Sequence, residues 1–326
     1  MCSESDAYTR EGECRVGLLY IAFMAAAVVL LSRHCARSIS QNDHSKMIKR
    51  SLLILLQVCL TTSHAFAQNP DWHREFPSFK IAGNLYYVGT ADLAVYLIRT
   101  PKGNILINSD FPQDLPLIQK SIHQLGFDYR DTKIILISHA HDDHAGAVGE
   151  IQKQTNARLM VMEPDVAWVE STASGHPGVR VDRVLHDGDV VELGGAKLTA
   201  RLTPGHTPGC TTWTMEVQES ERKFNAVIIG SPNVNPGYVL VGNKGYPGIA
   251  EDYEKTFTVL LNLPVDIFLG AHGSYFGLQQ KYRRVRAGEP NPFMDSPGYT
   301  AYVIERRDAF RKEWARQKQH PGSPAP

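Results

Sequence analysis

Short apolar runs, separated by glycine, proline and charged residues, recur through the chain and predict strands. They cover residues 85–88, 94–99, 105–107, 134–137, 159–162, 190–193, 198–202, 212–217, 226–229 and 267–269. Longer stretches of helical character fall between and after them, at 115–125, 145–155, 249–262 and 297–318. Strands interrupted by single helices indicate an α/β fold in which two sheets pack face to face with helices outside.

Several of these predicted strands end in loops that carry histidine or aspartate. The residues concerned are His139, His141, Asp143, His144, His206 and His272. Two of the loops are rich in glycine or proline, Thr-Pro-Gly-His-Thr-Pro-Gly at 203–209 and Leu-Gly-Ala-His-Gly at 269–273. Because rigid loops at strand ends concentrate function, we expect these side chains to act together.

The spacing at 139–144 indicates a metal site. His139 and His141 leave the strand end on one face, because side chains two apart on a strand point the same way, and they can hold one cation. Asp143 and His144 come just beyond, where the chain turns toward a helix, and face a second cation. A single His-x-His motif would be weak evidence for a metal site, since the chain contains 13 histidines. The two further loops make a purely structural role a poor explanation.

His-x-His-x-Asp-His, followed by a Gly-His loop and a late Gly-x-His-Gly loop, resembles the metallo-β-lactamase superfamily. The resemblance extends from about residue 84 to the C-terminus and implies an αββα sandwich with the metal loops along one edge. Thioesterases, lactonases, phosphodiesterases and tRNA-processing nucleases share this scaffold, so the superfamily alone does not name a substrate.

The residue after the strand at 226–229 narrows the resemblance. Those relatives usually place a metal-bridging aspartate there, and the first two β-lactamase subclasses place a cysteine. This chain has Gly230-Ser231 instead, with Asn-Pro-Gly-Tyr at 235–238. In both respects it is similar to subclass B3 of the metallo-β-lactamases.

The resemblance implies two Zn²⁺ ions per chain. His139, His141 and His206 would hold the first, and Asp143, His144 and His272 the second. Three protein ligands per ion leave open positions, which is the catalytic pattern. A metal-bound hydroxide would then open the β-lactam amide bond without forming an acyl-enzyme.

Further residues are candidates for substrate contacts. Tyr238 matches a family tyrosine beside the oxyanion, although a tyrosine after Pro-Gly can also pack within a loop. Ser231, Asn233 and Asn235 could contact the substrate carboxylate directly or through water. Asp143 and Tyr238 are the two candidates for catalytic residues.

Competing functions have less support in the sequence. A lactonase, thioesterase, phosphodiesterase or nuclease of the same superfamily normally uses the missing aspartate. The chain contains 34 basic and 34 acidic residues, which argues against a nucleic-acid partner. The basic cluster at 281–286 is predicted to be a solvated helix face. Cys210 is predicted to be a small buried thiol, and residues 230–232 do not form a serine-hydrolase elbow.

The N-terminal region predicts export. A basic start at 47–50, an apolar core at 52–60 and Ala65-Phe-Ala67 form a signal peptide at 47–67. Residues 1–46 are an upstream extension outside the mature protein. The alternative is a membrane anchor at 16–31, although that run of 16 residues is short for a span of roughly 20.

The remaining chain predicts a periplasmic enzyme. Residues 68–319 form the catalytic domain, and 320–326 form a disordered tail. Four of the five cysteines precede residue 68, so the mature domain has no internal disulfide. We expect a monomer that acts on a small β-lactam, without stable membrane association after processing.

Overall fold

A computed structural model of the protein describes residues 69–171 and 179–326 and places 70–326 in one unit. Its first sheet has seven strands, in the order β1 to β7. They are Phe79–Ala82, Leu85–Tyr87, Tyr96–Thr100, Gly103–Ile107, Thr132–Leu136, Arg158–Met162 and Arg183–Leu185. β1 to β4 pair antiparallel, whereas β4 to β7 pair parallel.

The second sheet has five strands, in the order β12-β11-β10-β9-β8. β8 to β12 are Val190–Leu193, Ala196–Leu202, Thr211–Glu219, Arg222–Ile229 and Ile267–Gly270. β8 to β11 form an antiparallel meander, and β12 joins β11 in parallel. β12 therefore ends at the same sheet edge as β11.

Seven α-helices lie in the described part of the chain. α1 to α7 are Leu115–Gln124, Asp142–Ala145, Val148–Thr155, Glu163–Glu170, Ile249–Leu261, Leu278–Arg286 and Ser296–Gln319. None of them is long and apolar enough to cross a membrane.

All five residues of the central strand β4 are buried, and successive side chains point to opposite faces of the sheet. Ile105 and Ile107 of β4 face the space between the sheets, together with Trp213 of the second sheet. Leu106, between them in sequence, belongs to a separate apolar cluster with Ile118 of α1. Both faces of the first sheet are thus buried, one by a sheet and the other by helices, which confirms the αββα sandwich.

All ten predicted strands are present, with bounds that differ by up to four residues. β1 and β7 were not predicted, because both strands are short. In β7 only the last residue, Leu185, is buried. The helix predicted at 145–155 is two helices, α2 and α3, since the chain bends at Gly146-Ala147. The predicted signal peptide and the upstream extension lie outside the described residues.

One expectation about charge was wrong. Lys281 was predicted to lie on a solvated helix face, but it is buried and its Nζ lies 2.7 Å from Asp295 Oδ2. The ammonium also lies over the ring of Phe268, at 5.2 Å from the centroid. Arg283 and Arg284 of the same helix are exposed, as predicted.

The C-terminal residues contact a loop of the second sheet. The tail after Gln319 has no further helix or strand, but Ala325 N donates to Tyr238 O at 2.8 Å and Gly237 N donates to Ala325 O at 2.8 Å. Buried Gln317 of α7 donates to Tyr238 O at 2.9 Å as well. The end of the chain therefore supports the loop that carries Tyr238.

Candidate metal centre

Three histidines from two loops meet at one edge of the sandwich. His139 and His141 follow β5, and His206 follows β9. One ligand-type nitrogen of each lies within 4.8 Å of those of the other two. The ring centroids are 4.6 to 4.8 Å apart. We call these residues the three-histidine set.

A second set of potential ligands lies beside the first. Asp143 Oδ2 is 3.2 Å from His144 Nε2 and 3.3 Å from His272 Nε2, and the two nitrogens are 3.1 Å apart. Tetrahedral zinc with ligands at about 2.0–2.1 Å separates neighbouring ligand atoms by about 3.3 Å. The spacing of this Asp-His-His set therefore suits a single small cation.

The two sets are adjacent. The rings of His139 and His144 are 4.4 Å apart between centroids. A ligand atom of His139 also lies within 4.8 Å of those of Asp143 and His144. Catalytic sites with two metals hold them about 3.5–4 Å apart, which is compatible with this arrangement.

The protonation states fit a cation as well. Burial lowers the pKa of His139 and of His206 well below the usual value, so both rings are neutral. Burial alone would raise the pKa of Asp143, but the neighbouring His144 and His272 hold it well below its usual range. Both nitrogens of buried His139, and Nδ1 of buried His144, have no hydrogen-bond partner among the described residues. Neutral imidazoles and an ionised carboxylate are the forms that bind metal.

Outer hydrogen bonds orient two of the rings. His206 Nδ1 lies 2.9 Å from Asn233 O, which can only accept, so Nδ1 donates and Nε2 faces the other histidines. His272 Nδ1 lies 3.1 Å from Asp92 Oδ2. Without a cation, burial lowers the pKa of His272, but its hydrogen bonds to Asp143 and Asp92 outweigh this and raise the pKa to about 9. His272 must therefore release a proton when it becomes a metal ligand.

Backbone contacts hold the loops in place. Ser138 N donates to Asn108 Oδ1 at 2.8 Å, and Thr211 N donates to Ser138 O at 2.7 Å, which joins the two sheets beside His139. Gly205 has φ +127°, and a Cβ there would lie 2.7 Å from the ring of Tyr253. The residue before His206 must therefore be glycine.

Tyr238 and Ser231 both lie close to the two ligand sets. The ring of Tyr238 is 5.8 Å from that of His206, and its hydroxyl donates to His206 O at 2.7 Å. Ser231 is buried, with Oγ 3.1 Å from Tyr275 Oη. The ring of Tyr275 is in turn 5.0 Å from that of His272.

The remaining candidates are more peripheral. Asn233 contributes its carbonyl to His206, and Asn235 contributes its carbonyl to the turn that ends at Tyr238. Cys210 is fully buried, as predicted, and has no disulfide partner among the described residues. Burial raises the pKa of its thiol to about 12. Trp168 is 47% exposed at the end of α4.

Comparison with known proteins places this site in a family. The model of the metallo-β-lactamase superfamily matches residues 93–218. The native FEZ-1 metallo-β-lactamase from Legionella gormanii is 50% identical, with a TM-score of 0.72 over 76% of this chain and 98% of that chain. The subclass B3 enzyme BJP-1 of Bradyrhizobium japonicum is 36% identical, with a TM-score of 0.72 over 77% and 98%. The chain belongs to subclass B3 of the metallo-β-lactamases.

Curated relatives found by sequence match a smaller part of this B3 chain. A hydroxyacylglutathione hydrolase of Rhodopseudomonas palustris is 31% identical over 112 residues, which are 34% of this chain and 39% of that protein. The chain thus spans about two fifths of the length of the curated relatives it matches.

Sequence reasoning missed the residues that support the ligands in this B3 chain. Asp92 receives hydrogen bonds from Ser274 N at 2.7 Å and Trp72 Nε1 at 3.2 Å, besides its contact with His272. Tyr253 Oη donates to Asn233 O at 2.6 Å. Asp92 and His272 are 180 positions apart, and neither Asp92 nor Tyr253 lies in a local motif. A carboxylate within an apolar stretch was the single signal available for Asp92.

Proposed function

We propose that this protein hydrolyses the amide bond of β-lactam antibiotics. The observation that carries the proposal is the convergence of the three-histidine and Asp-His-His sets, with Ser231 where relatives of other activities place a metal-bridging carboxylate. The 50% identity to a metallo-β-lactamase over nearly that whole chain supports it.

We further propose that each set holds one zinc ion, giving two per chain. His139, His141 and His206 would hold the first, and Asp143, His144 and His272 the second. Zinc supplies a Lewis acid for the lactam carbonyl and brings the pKa of water from 15.7 to around 7.

The chain's own residues would orient the substrate. The Tyr238 hydroxyl, beside the three-histidine set, can turn from His206 O toward the developing oxyanion. Ser231, Asn233 and Asn235 lie in one loop that can contact the substrate carboxylate. Asp143 would remain ionised, which is the form that a metal ligand requires.

A covalent mechanism has little support among these residues. Cys210 is buried and its raised pKa of about 12 keeps the thiol protonated. Ser231 Oγ is hydrogen-bonded to a tyrosine hydroxyl rather than to a base. We therefore propose hydrolysis without an acyl-enzyme.

Hydrolysis of hydroxyacylglutathione is a second candidate, because a hydroxyacylglutathione hydrolase is 31% identical to this chain over 112 residues. It ranks lower because the match covers 39% of that protein. Lactonase and phosphodiesterase activity have no specific observation in their favour.

The location of the protein is also a proposal. Ala65-Phe-Ala67 after a basic and apolar stretch supports export to the periplasm through a signal peptide. A small β-lactam would then be its partner, and the mature protein would act as a monomer free of the membrane.

One assay panel tests the function. Purified, zinc-loaded protein should hydrolyse penicillin, cephalosporin or carbapenem, and chelation should abolish this activity until zinc is returned. His141→Ala should reduce turnover severely, whereas His186→Ala, at a histidine whose side chain is 67% exposed, should retain it. Efficient cleavage of a lactone, a phosphodiester or hydroxyacylglutathione with all β-lactams left intact would overturn the proposal.

A further inference from the structure

Asp165 is a buried carboxylate that the proposed chemistry does not use. It is the third residue of α4, which follows β6, and it is 2% exposed. An unpaired buried carboxylate would be costly, so its partners indicate what it does. All three of its hydrogen-bond donors in the described chain belong to the metal loops.

One donor lies between two histidines of the three-histidine set. Ala140 N donates to Asp165 Oδ2 at 3.0 Å. Ala140 separates His139 from His141, so its backbone dihedrals set the relative direction of both imidazoles.

The other two donors follow the third histidine, in a loop that connects two strands of the opposite sheet. Thr207 Oγ1 donates to Asp165 Oδ2 at 2.8 Å, and Gly209 N donates to Oδ1 at 2.7 Å. Thr207 directly follows His206. The carboxylate thus accepts from both loops that carry the three-histidine set.

Gly209 is shaped to admit this carboxylate. A Cβ at Gly209 would lie 2.6 Å from Asp165 Cγ and 2.6 Å from Asp165 N. Any larger residue would push the carboxylate away from the loops. The lack of a side chain at Gly209 therefore permits its close contact with Asp165.

We propose that Asp165 is a positioning residue for the first metal site: it fixes the distance between the His139–His141 loop and the His206 loop. The proposal rests on the proposed zinc site and adds a residue outside its ligands. Because three preformed hydrogen bonds hold two loops from different sheets, the three nitrogens are arranged before the ion binds, which raises its affinity.

Zinc titration in competition with a chromophoric chelator tests the proposal on the full mature protein. The step lost in His141→Ala identifies the first site, and the step lost in His272→Ala identifies the second. Asp165→Asn should weaken the first step about tenfold, as outer-shell changes commonly do, and leave the second within about threefold. Gly209→Ala should reproduce this pattern from the other side of the contact.

Asp182→Asn is the matched control. Asp182 accepts from Leu159 N at 3.0 Å and Gln152 Nε2 at 3.1 Å, and its side chain is 13% exposed, but it joins α3 to β6 rather than the metal loops. It should lower the stability of the zinc-free protein without changing either zinc step. Thr207→Val removes one bond and should give a smaller loss at the first step, which keeps the test available if Asp165→Asn does not fold.

Two results would overturn the inference. One is Asp165→Asn and Thr207→Val leaving the first zinc step unchanged, and the other is both variants weakening the two steps equally. If the zinc steps behave as expected but no β-lactam is hydrolysed, the proposed function fails while the role of Asp165 stands. A wild-type protein that binds no zinc would overturn both.

Discussion

At the scale of single residues, Ser231 distinguishes this chain from relatives with a bridging carboxylate. Its Oγ bonds to Tyr275 Oη at 3.1 Å and receives Asn233 N at 3.4 Å. No direct bond between Ser231 Oγ and the ligand atoms is found among the described residues. The hydroxyl is therefore engaged by Tyr275 and Asn233 rather than by the potential metal ligands.

Ser231→Ala should accordingly leave the zinc stoichiometry at about two and raise KM more than it lowers kcat. The methyl group fills similar space, and the lost hydrogen bond should cost about 1 kcal/mol of stability. Metal analysis of the purified variant, with steady-state kinetics, checks this. His144→Ala is the control that should lose zinc, and loss of one ion in Ser231→Ala would show that the second site is wrongly assigned.

Tyr238 could have either of two roles, and a substitution that removes its hydroxyl distinguishes them. Its hydroxyl donates to His206 O at 2.7 Å, so it could act by holding a ligand or by reaching the substrate. Tyr238→Phe should lower kcat at least about tenfold, because one oxyanion donor is commonly worth that much or more. Zinc affinity should stay within about threefold. A variant that loses zinc affinity in proportion to kcat would instead assign Tyr238 to positioning.

At the scale of elements, α6 and α7 are joined by a partly buried ion pair. Asp295 accepts from Lys281 and also caps α7 through Gly298 N at 2.9 Å. Removing the carboxylate leaves the buried ammonium without its counter-charge and the helix without a cap. Because the Asp295 side chain is 31% exposed, solvent reduces the loss of stability that its removal causes.

Asp295→Ala should therefore lower the free energy of unfolding by about 3 kcal/mol. Urea unfolding of the zinc-loaded protein measures this. The matched control is Asp308→Ala on the same helix, where a side chain that is 61% exposed pairs with Arg307, and its cost should stay below about 0.5 kcal/mol. Equal losses of unfolding free energy in Asp295→Ala and Asp308→Ala would show that the buried ion pair does not stabilise the protein more than an exposed one.

At the scale of the whole molecule, both sheets contribute residues to the proposed metal site. The three-histidine set draws two ligands from a loop after β5 and one from a loop after β9, so the site exists only when the sheets are packed together. Zinc binding and folding should therefore be linked, with zinc stabilising the protein by about 4 kcal/mol at a thousandfold excess over its dissociation constant.

The extent of the mature molecule is a separate prediction. Ala65-Phe-Ala67 indicates cleavage before Gln68, so protein exported by a Gram-negative host should begin at that residue and appear in the periplasmic fraction. Intact-mass measurement identifies the first residue. A Gln68→Pro variant, which places proline directly after the cleaved bond, should block processing and serves as the control. Recovery of a longer form that retains residues 16–31 in the membrane fraction would contradict the predicted signal peptide.

The sequence by itself determined the fold class and all six proposed metal ligands. The fold class follows from apolar strands interrupted by single helices. The spacing at 139–144 indicates a metal site, and the resemblance to the metallo-β-lactamase superfamily implies the full set of six. A strand end also predicts where its loop will lie, because strands of one sheet end at shared edges. Ser231 could be singled out because it follows β11, at the position where relatives place a metal-bridging aspartate or a cysteine.

Tertiary structure alone decided which residues support those ligands. Asp92 meets His272 across 180 positions, and Asp165 meets Gly209 across 44. Lys281 lies in a basic cluster that favours solvent, yet it is buried where α6 packs against the start of α7. Such contacts leave no periodic trace in the sequence, because they depend on how two sheets and their helices pack and on which buried polar groups that packing leaves to be satisfied.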